Sequence, residues 1–441
     1  MPPKSKANRG NNLMSKINET FNTTVREKFL SVEHSSGLEI LIVPKKHSTS
    51  YAIIGTRYGS MDRTFKTDSD KDFITVPDGI AHFLEHKLFE NENGEDTFTR
   101  YARFGGSANA YTSFDKTAYL FSCTENFSEN LGVLLDFVQS PYFTEASVQK
   151  EIGIIGQEIR MYDDNPGWQS FFSLLGAMYV NNPIKIDIAG TVDSISKITA
   201  DVLYRCYNTF YNLNNMTLVV CGDVTAEQVL EVCDKYLKKS KDIKIERVDF
   251  DEPEDVYKKR ITKNLEVAMP MLVVGVKDRT PEPGNDSIRR HAANEIILHS
   301  IFGNSSSFYT RVYDKGLINH SFGSDSSLGR GFAFAEIGGS TPDPDGLFNE
   351  ICAEIEHNRK VGLDKADFER SKKVVYSSSL TAFDSTDGIA NGVLGQHFLG
   401  GNLLDYPELI ASVSYEYASE VFYDMYKENH IASSVILPNK K

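Results

Sequence analysis

The chain predicts an α+β fold in two domains, on three observations. Its 441 residues exceed what one hydrophobic core serves, so two domains of about 200 residues each are the default. Strand-like alternation and helix-like periodicity come in separate blocks, which argues for layers of antiparallel or mixed sheet covered by helices. Between the halves, Lys238 to Asp255 is dense in charge and reads as a linker. The expected division is a disordered tail over residues 1–27, a first domain over 28–240, a linker over 241–256 and a second domain over 257–441.

Taken in order, the tail carries Lys4, Lys6, Arg9 and Lys16 before its first acid, in a Gly/Asn/Ser setting that fits neither a secretory signal nor a membrane span. Phe29 to His34 and Leu38 to Val43 flank Ser35-Ser36-Gly37 and read as a hairpin, with Tyr51 to Tyr58 as a third strand. A polar loop is expected over Arg63 to Pro77, then a helix from Gly79 to Glu90 and another from Asp96 to Phe104. There Gly105-Gly106 turns the backbone into a strand at Ala108 to Thr112. Thr117 to Thr124 alternates and returns to the sheet. Helices follow at Asn126 to Gln139, Glu145 to Tyr162, Trp168 to Tyr179 and Ala200 to Phe210, then a strand at Met216 to Cys221 and a helix at Ala226 to Leu237. The second half repeats this plan coarsely. It offers a strand at Met271 to Val276, helices at Ser287 to Phe302 and Ser307 to Lys315, and strands at His320 to Ser326 and Gly331 to Gly338. Helices at Gly346 to Arg359, Lys365 to Phe383 and Ser414 to Tyr426 precede a last strand at Ile431 to Leu437.

Composition narrows the function. Hydrophobic residues at 40% and charged residues at 24% are those of a soluble globular protein. A formal charge of -14 disfavours nucleic acid or an anionic membrane as partner. Cys123, Cys206, Cys221, Cys233 and Cys352, odd in number and without a Cys-x-x-Cys pair, read as reduced thiols of a cytoplasmic protein.

Chemistry concentrates at Gly79-Ile80-Ala81-His82-Phe83-Leu84-Glu85-His86. Residues four apart share a helix face, so His82 and His86 can offer two imidazoles to one cation. A catalytic zinc takes three protein ligands, often two His and a carboxylate, and leaves a position to water. Glu85 lies beside these ligands without being one, and suits the general base for that water, whose pKa zinc lowers to about 7. The order His-x-x-Glu-His inverts the commoner zinc motif. The same pentapeptide also fits an amphipathic helix whose imidazoles are satisfied by the core. A third ligand is offered by Glu158. It shares a helix face with Glu151, seven residues earlier, and that face is otherwise apolar and glycine-bearing, where an acid needs a cation or a donor. Glu158 then completes the ligand set while Glu151 orients a ligand or takes up a proton. A solvated helix face is the bland alternative for both acids.

Further text surrounds these groups: Val76-Pro77-Asp78 ahead of the motif, Gly105-Gly106-Ser107-Ala108-Asn109-Ala110-Tyr111-Thr112-Ser113-Phe114 after it, and Tyr162-Asp163-Asp164-Asn165-Pro166-Gly167-Trp168 past Glu158. With it, the chain resembles the pitrilysin/insulinase family of inverted-motif zinc peptidases, in the shorter-chain branch that includes the mitochondrial processing peptidase and the bacterial YmfH-type members. The similarity runs from about Phe29 to the C-terminus. The resemblance implies two homologous α/β-roll domains forming half of a clamshell. It implies one Zn2+ per chain on His82, His86 and Glu158, and hydrolysis of extended peptides bound by strand addition along Asn109, Ala110 and Tyr111. Unfolded peptides, leader segments and precursor tails qualify as substrates.

Many relatives place an Arg and a Tyr in the second domain to hold substrate. In the matching segment, Val312 to Asn319, Tyr313 stands in place of the Arg, and Asn319 in place of the Tyr at a spacing one residue shorter. The resemblance therefore implies a heterodimer whose related partner chain supplies the pair, unless Arg311 or Arg330 fills the role. The rival reading is a chaperone-like clamshell subunit that binds peptides without cutting them. Glu85 argues against it, because binding alone needs no base beside the ligands.

Overall fold

The computed structural model describes residues 17–439. The first sheet has seven strands in the order Ile17–Asn22, Glu27–Glu33, Glu39–Pro44, Met216–Gly222, Ser50–Thr56, Thr117–Cys123 and Ser107–Thr112. Its central strands are continuous apolar runs because both of their faces are covered. Glu39–Pro44 lies parallel to Met216–Gly222, and the other neighbours are antiparallel. The second sheet has the order Arg260–Leu265, Ile431–Pro438, Met271–Lys277, Phe332–Ser340 and Gly323–Gly329, again with its first pair parallel and the rest antiparallel. From Glu39 onward the two sheets have the same connection order. The duplication is plain in topology even though the halves share little sequence.

One face of the first sheet carries the helices Ile80–Leu88 and Glu145–Asp163, whose Phe83, Leu84, Ile155 and Ile159 pack with Ile42, Ile54 and Phe121. The opposite faces of the two sheets exchange cover. Helix Pro166–Met178, from the first half, packs Leu174 and Met178 with Phe334 and Ala432 of the second sheet. Helix Thr386–Phe398, from the second half, places Val393 and Leu394 on Ile53 and Val219 of the first. Each helix sits over a strand glycine. A Cβ on Gly275 would meet Met178 Sδ at 2.6 Å, and one on Gly55 would meet Leu394 Cδ2 at 2.8 Å, so a bare backbone is what lets each helix approach.

Several elements differ from expectation. The first sixteen residues of the expected tail lie outside the described residues, but Ile17–Asn22 pairs with Glu27–Glu33 as an edge strand. The expected loop from Arg63 to Pro77 contains strands Thr64–Thr67 and Ile74–Thr75, and Ile245–Arg247 from the charged linker joins them in a small sheet. One aromatic anchors it: Phe65 is fully buried, its ring 4.6 Å from that of Phe210. Arg260–Leu265 is a strand that its largely exposed, charged sequence conceals.

Candidate metal centre

Two amphipathic helices deliver the imidazoles and acids. In Ile80–Leu88 the apolar side chains turn to the core, which leaves His82 and His86 on the other side with ring centroids 4.6 Å apart. The helix begins at Gly79, with φ of 89°, where an added Cβ would meet the Ala189 carbonyl oxygen at 2.3 Å. Handedness and close approach both require glycine there. Helix Glu145–Asp163 is started by Thr144 and Ser147 in a reciprocal capping box, and it turns Glu151 and Glu158 toward the imidazoles.

Ligand atoms of His82, His86 and Glu158 all lie within 4.8 Å of one another. His82 Nε2 is 3.7 Å from Glu158 Oε1, and His86 Nε2 is 3.6 Å from Glu158 Oε2. These gaps are too long for hydrogen bonds. They lie near the separation of about 3.3 Å between two ligands each held about 2.0–2.1 Å from one tetrahedral ion. Among the described residues His82 Nδ1 is buried without a hydrogen-bond partner, while its Nε2 faces Glu158. Two imidazoles and a carboxylate are a donor set for catalytic zinc, and the residues present fit that ion. His86 Nδ1 donates to Glu151 Oε1 at 3.2 Å, which turns Nε2 toward the ion's position. Glu85 Oε2 accepts from Thr112 Oγ1 at 2.7 Å.

Electrostatics follow the packing. Burial, with His86 beside it, pushes His82 down to about 4, so this ring is neutral and ready to bind a cation at neutral pH. For His86 burial also pulls downward, but the Glu151 hydrogen bond and the nearby Glu85 and Glu158 outweigh it and hold the pKa above the ordinary value. Burial raises Glu85, and the Thr112 hydroxyl partly offsets it. Burial and the Glu158 hydrogen bond push the Tyr162 hydroxyl up to about 12, so it remains a donor.

A cavity of about 270 Å³ is lined by His82, Glu85, His86 and Glu158 together with Ala110, Tyr111, Tyr162, Trp168 and Ile188. Ser107–Thr112 is the edge of the first sheet, paired on one side only among the described residues. Of the three expected peptide-binding residues, Ala110 and Tyr111 line the cavity. Asn109 is exposed and folds its Oδ1 back onto the Ala110 N–H at 2.9 Å. The Tyr111 hydroxyl points away, to Asn391 Oδ1 at 3.3 Å. Thr112, Tyr162 and Trp168 stand in the text that carries the resemblance without an assigned role there, and Ile188 is not singled out by it. Tyr162 carried a signal, standing one helical turn after Glu158. In the second half, Tyr313 is half-exposed on helix Ser307–Asp314. Arg311 pairs with Glu354 at 2.6 Å and Arg330 with Asp62 at 2.5 Å.

Residues 76–192 match the family model described as Insulinase (Peptidase family M16), and residues 197–375 the one described as Peptidase M16 inactive domain. The uncharacterized zinc protease YmfH of Bacillus subtilis (strain 168) is 40% identical over 420 residues, which cover 94% of this chain and 97% of that protein. The chain belongs to the insulinase family of peptidases, M16. The zinc protease PqqE of Helicobacter pylori is 25% identical to this M16 chain over 398 residues, 86% of each. The crystal structure of an M16-like peptidase from Alicyclobacillus acidocaldarius superposes on it with a TM-score of 0.88 at 35% identity, over 97% of this chain and 99% of the other. The seam between the two M16 matches precedes the change of sheet, because Ala200–Phe210 and Met216–Gly222 still build the first half. No second His-x-x-Glu-His occurs within the inactive-domain match.

Proposed function

We propose that this chain is the zinc-bearing subunit of a cytoplasmic endopeptidase that hydrolyses extended or unfolded peptides, with leader or precursor processing as its task. The observation that carries the reading is the convergence of His82, His86 and Glu158, with the Glu85 carboxylate alongside, in front of an unpaired strand edge. One zinc ion on those ligands would polarise the scissile carbonyl and acidify a water. Glu85 receives the water proton on Oε1, the oxygen that Thr112 does not occupy, and returns it to the leaving amine. Its raised proton affinity brings it nearer that of the groups it serves. An extended peptide adds to Ser107–Thr112 through main-chain hydrogen bonds beside Asn109, Ala110 and Tyr111, and a folded domain has no free strand to offer.

Other features agree with the reading. All five cysteines are unpaired thiols, as suits a reducing compartment. None of the described helices is long and apolar enough to cross a membrane. Tyr313 and Asn319 in place of an Arg/Tyr pair support a division of the site between this chain and a related partner.

The test is Glu85→Gln in the full-length chain, with zinc measured by metal analysis and cleavage followed on an unstructured fluorogenic peptide. The variant should keep one zinc per chain and lose about 10²–10⁴ in rate. Peptide binding without turnover in either protein would overturn the peptidase in favour of a clamshell that binds without cutting.

A further inference from the structure

The segment from Tyr162 to Trp168 runs past the third ligand, and the chemistry above makes no use of it. Tyr162 Oη donates to Glu158 Oε1 at 2.8 Å, on the oxygen that faces His82. Glu158 Oε2 faces His86 instead. The tyrosine ring is itself confined, stacked on Trp168 with centroids 4.5 Å apart and planes at 15°. Trp168 is fixed at three points. Its backbone N–H donates to the Asn165 side chain at 3.1 Å, its indole N–H donates to Asp187, and its ring packs on Phe172 at 5.1 Å. Asp187 also accepts from the Ala189 N–H at 2.9 Å, and the Ala189 carbonyl is what abuts Gly79 at the start of the histidine helix. Contacts therefore run unbroken from the Glu158 carboxylate, through two rings and an acid, back to the helix that carries the other two ligands.

We infer that Tyr162 is a positioning residue for the metal site: its hydroxyl fixes the orientation of Glu158, and Trp168 fixes Tyr162, so the carboxylate is held ready before the ion arrives. The inference rests on the zinc site proposed above. Glu158 is partly exposed, on a long side chain that the core does not grip. Without a donor its carboxylate would sample several rotamers and bind only from some of them. Partners that hold a ligand in this way are worth 10–100-fold in metal affinity or activity.

The test uses the full-length chain stripped of metal and titrated with zinc, read by the emission of Trp168 and independently by competition with a chelator. Trp168 is the chain's single tryptophan, so its emission reports on this stack alone. Tyr162→Phe keeps the ring and removes only the hydroxyl. It should raise the zinc Kd by about 10–100-fold and shrink the emission change on zinc addition. At saturating zinc it should lower kcat more than it changes KM. The metal-free variant should melt with the metal-free wild type. Trp168→Phe, followed by chelator competition, should weaken zinc in the same direction and covers the case of a Tyr162 variant that folds poorly. Wild-type zinc affinity and emission response in Tyr162→Phe would overturn the inference while leaving the metal site standing. A wild-type chain that takes up no zinc would overturn the site, and this inference with it.

Discussion

The two oxygens of Glu85 face different demands. Oε2 accepts the Thr112 hydroxyl at 2.7 Å, while Oε1 has no donor among the described residues and is the oxygen to which the proposed mechanism assigns the water proton. Threonine at the last position of the edge strand therefore ties Glu85 to the strand proposed to receive an extended peptide. Thr112→Val conserves shape and removes the hydroxyl. A hydrogen bond to a charged group contributes about 1.5–3 kcal/mol, so kcat should fall by roughly 10- to 100-fold with zinc content unchanged. Steady-state kinetics with metal analysis would check this, and a variant with wild-type kcat would show that the carboxylate holds its orientation unaided. The two carboxylates beside the imidazoles share His86 but face different nitrogens of it. Glu151 accepts from His86 Nδ1, whereas Glu158 meets both Nε2 atoms and the Tyr162 hydroxyl.

At the scale of elements, what the sequence made legible was whatever its local period decides. The helix read from Gly79 to Glu90 is Ile80–Leu88, the hairpin around Ser35-Ser36-Gly37 is present, and the seven-residue spacing of Glu151 and Glu158 puts both on one face of Glu145–Asp163, the face that lies near the two imidazoles. What could not be read depends on distant partners. Thr386–Phe398 contains Gly388, Gly392 and Gly395, which on propensity argue against a helix. Its place is decided by packing: a Cβ on Gly392 would meet Leu403 Cδ2 at 2.8 Å, and its Leu394 rests over Gly55. Thr112 and Tyr162 stand in the text that carries the resemblance but receive no role from it; the spacing of Tyr162 from Glu158 is a local signal, whereas Thr112 meets Glu85 only through the fold. The reciprocal cover makes a prediction. Gly275→Val would drive a branched side chain into Met178 and Leu174, and overpacking of this kind costs about 1–3 kcal/mol. Chemical denaturation should show that loss, and a variant as stable as wild type would mean that helix Pro166–Met178 is free to retreat from the second sheet.

Across the whole molecule, the two halves are tied in ways that a hinge would have to break. Asp62 of the first half is buried and holds both Arg247 and Arg330. Glu252 accepts from the N–H groups of Val180, Asn181 and Asn182 while pairing with the buried Lys277 of the second half. With the exchanged helices added, closing the second half over the candidate metal centre would uncover two apolar faces and strand buried charges, at several kcal/mol for each broken pair. Arg330 and Arg311 are committed to these and similar ion pairs, which leaves neither guanidinium available to a substrate carbonyl without loss elsewhere. On the proposed division of the site, donors for the developing oxyanion arrive on a related partner chain. The expected outcome is that the purified chain binds one zinc and cleaves an unstructured peptide slowly. Adding a related chain that lacks His-x-x-Glu-His but carries the Arg/Tyr pair should raise kcat by about 10²–10³, the usual worth of an oxyanion donor. Replacing that partner's Arg by Ala should remove most of the gain while the two chains still co-elute. Fast turnover by this chain alone, indifferent to any partner, would mean that the site is complete as it stands and that the second half needs no Arg/Tyr pair to hold its substrate.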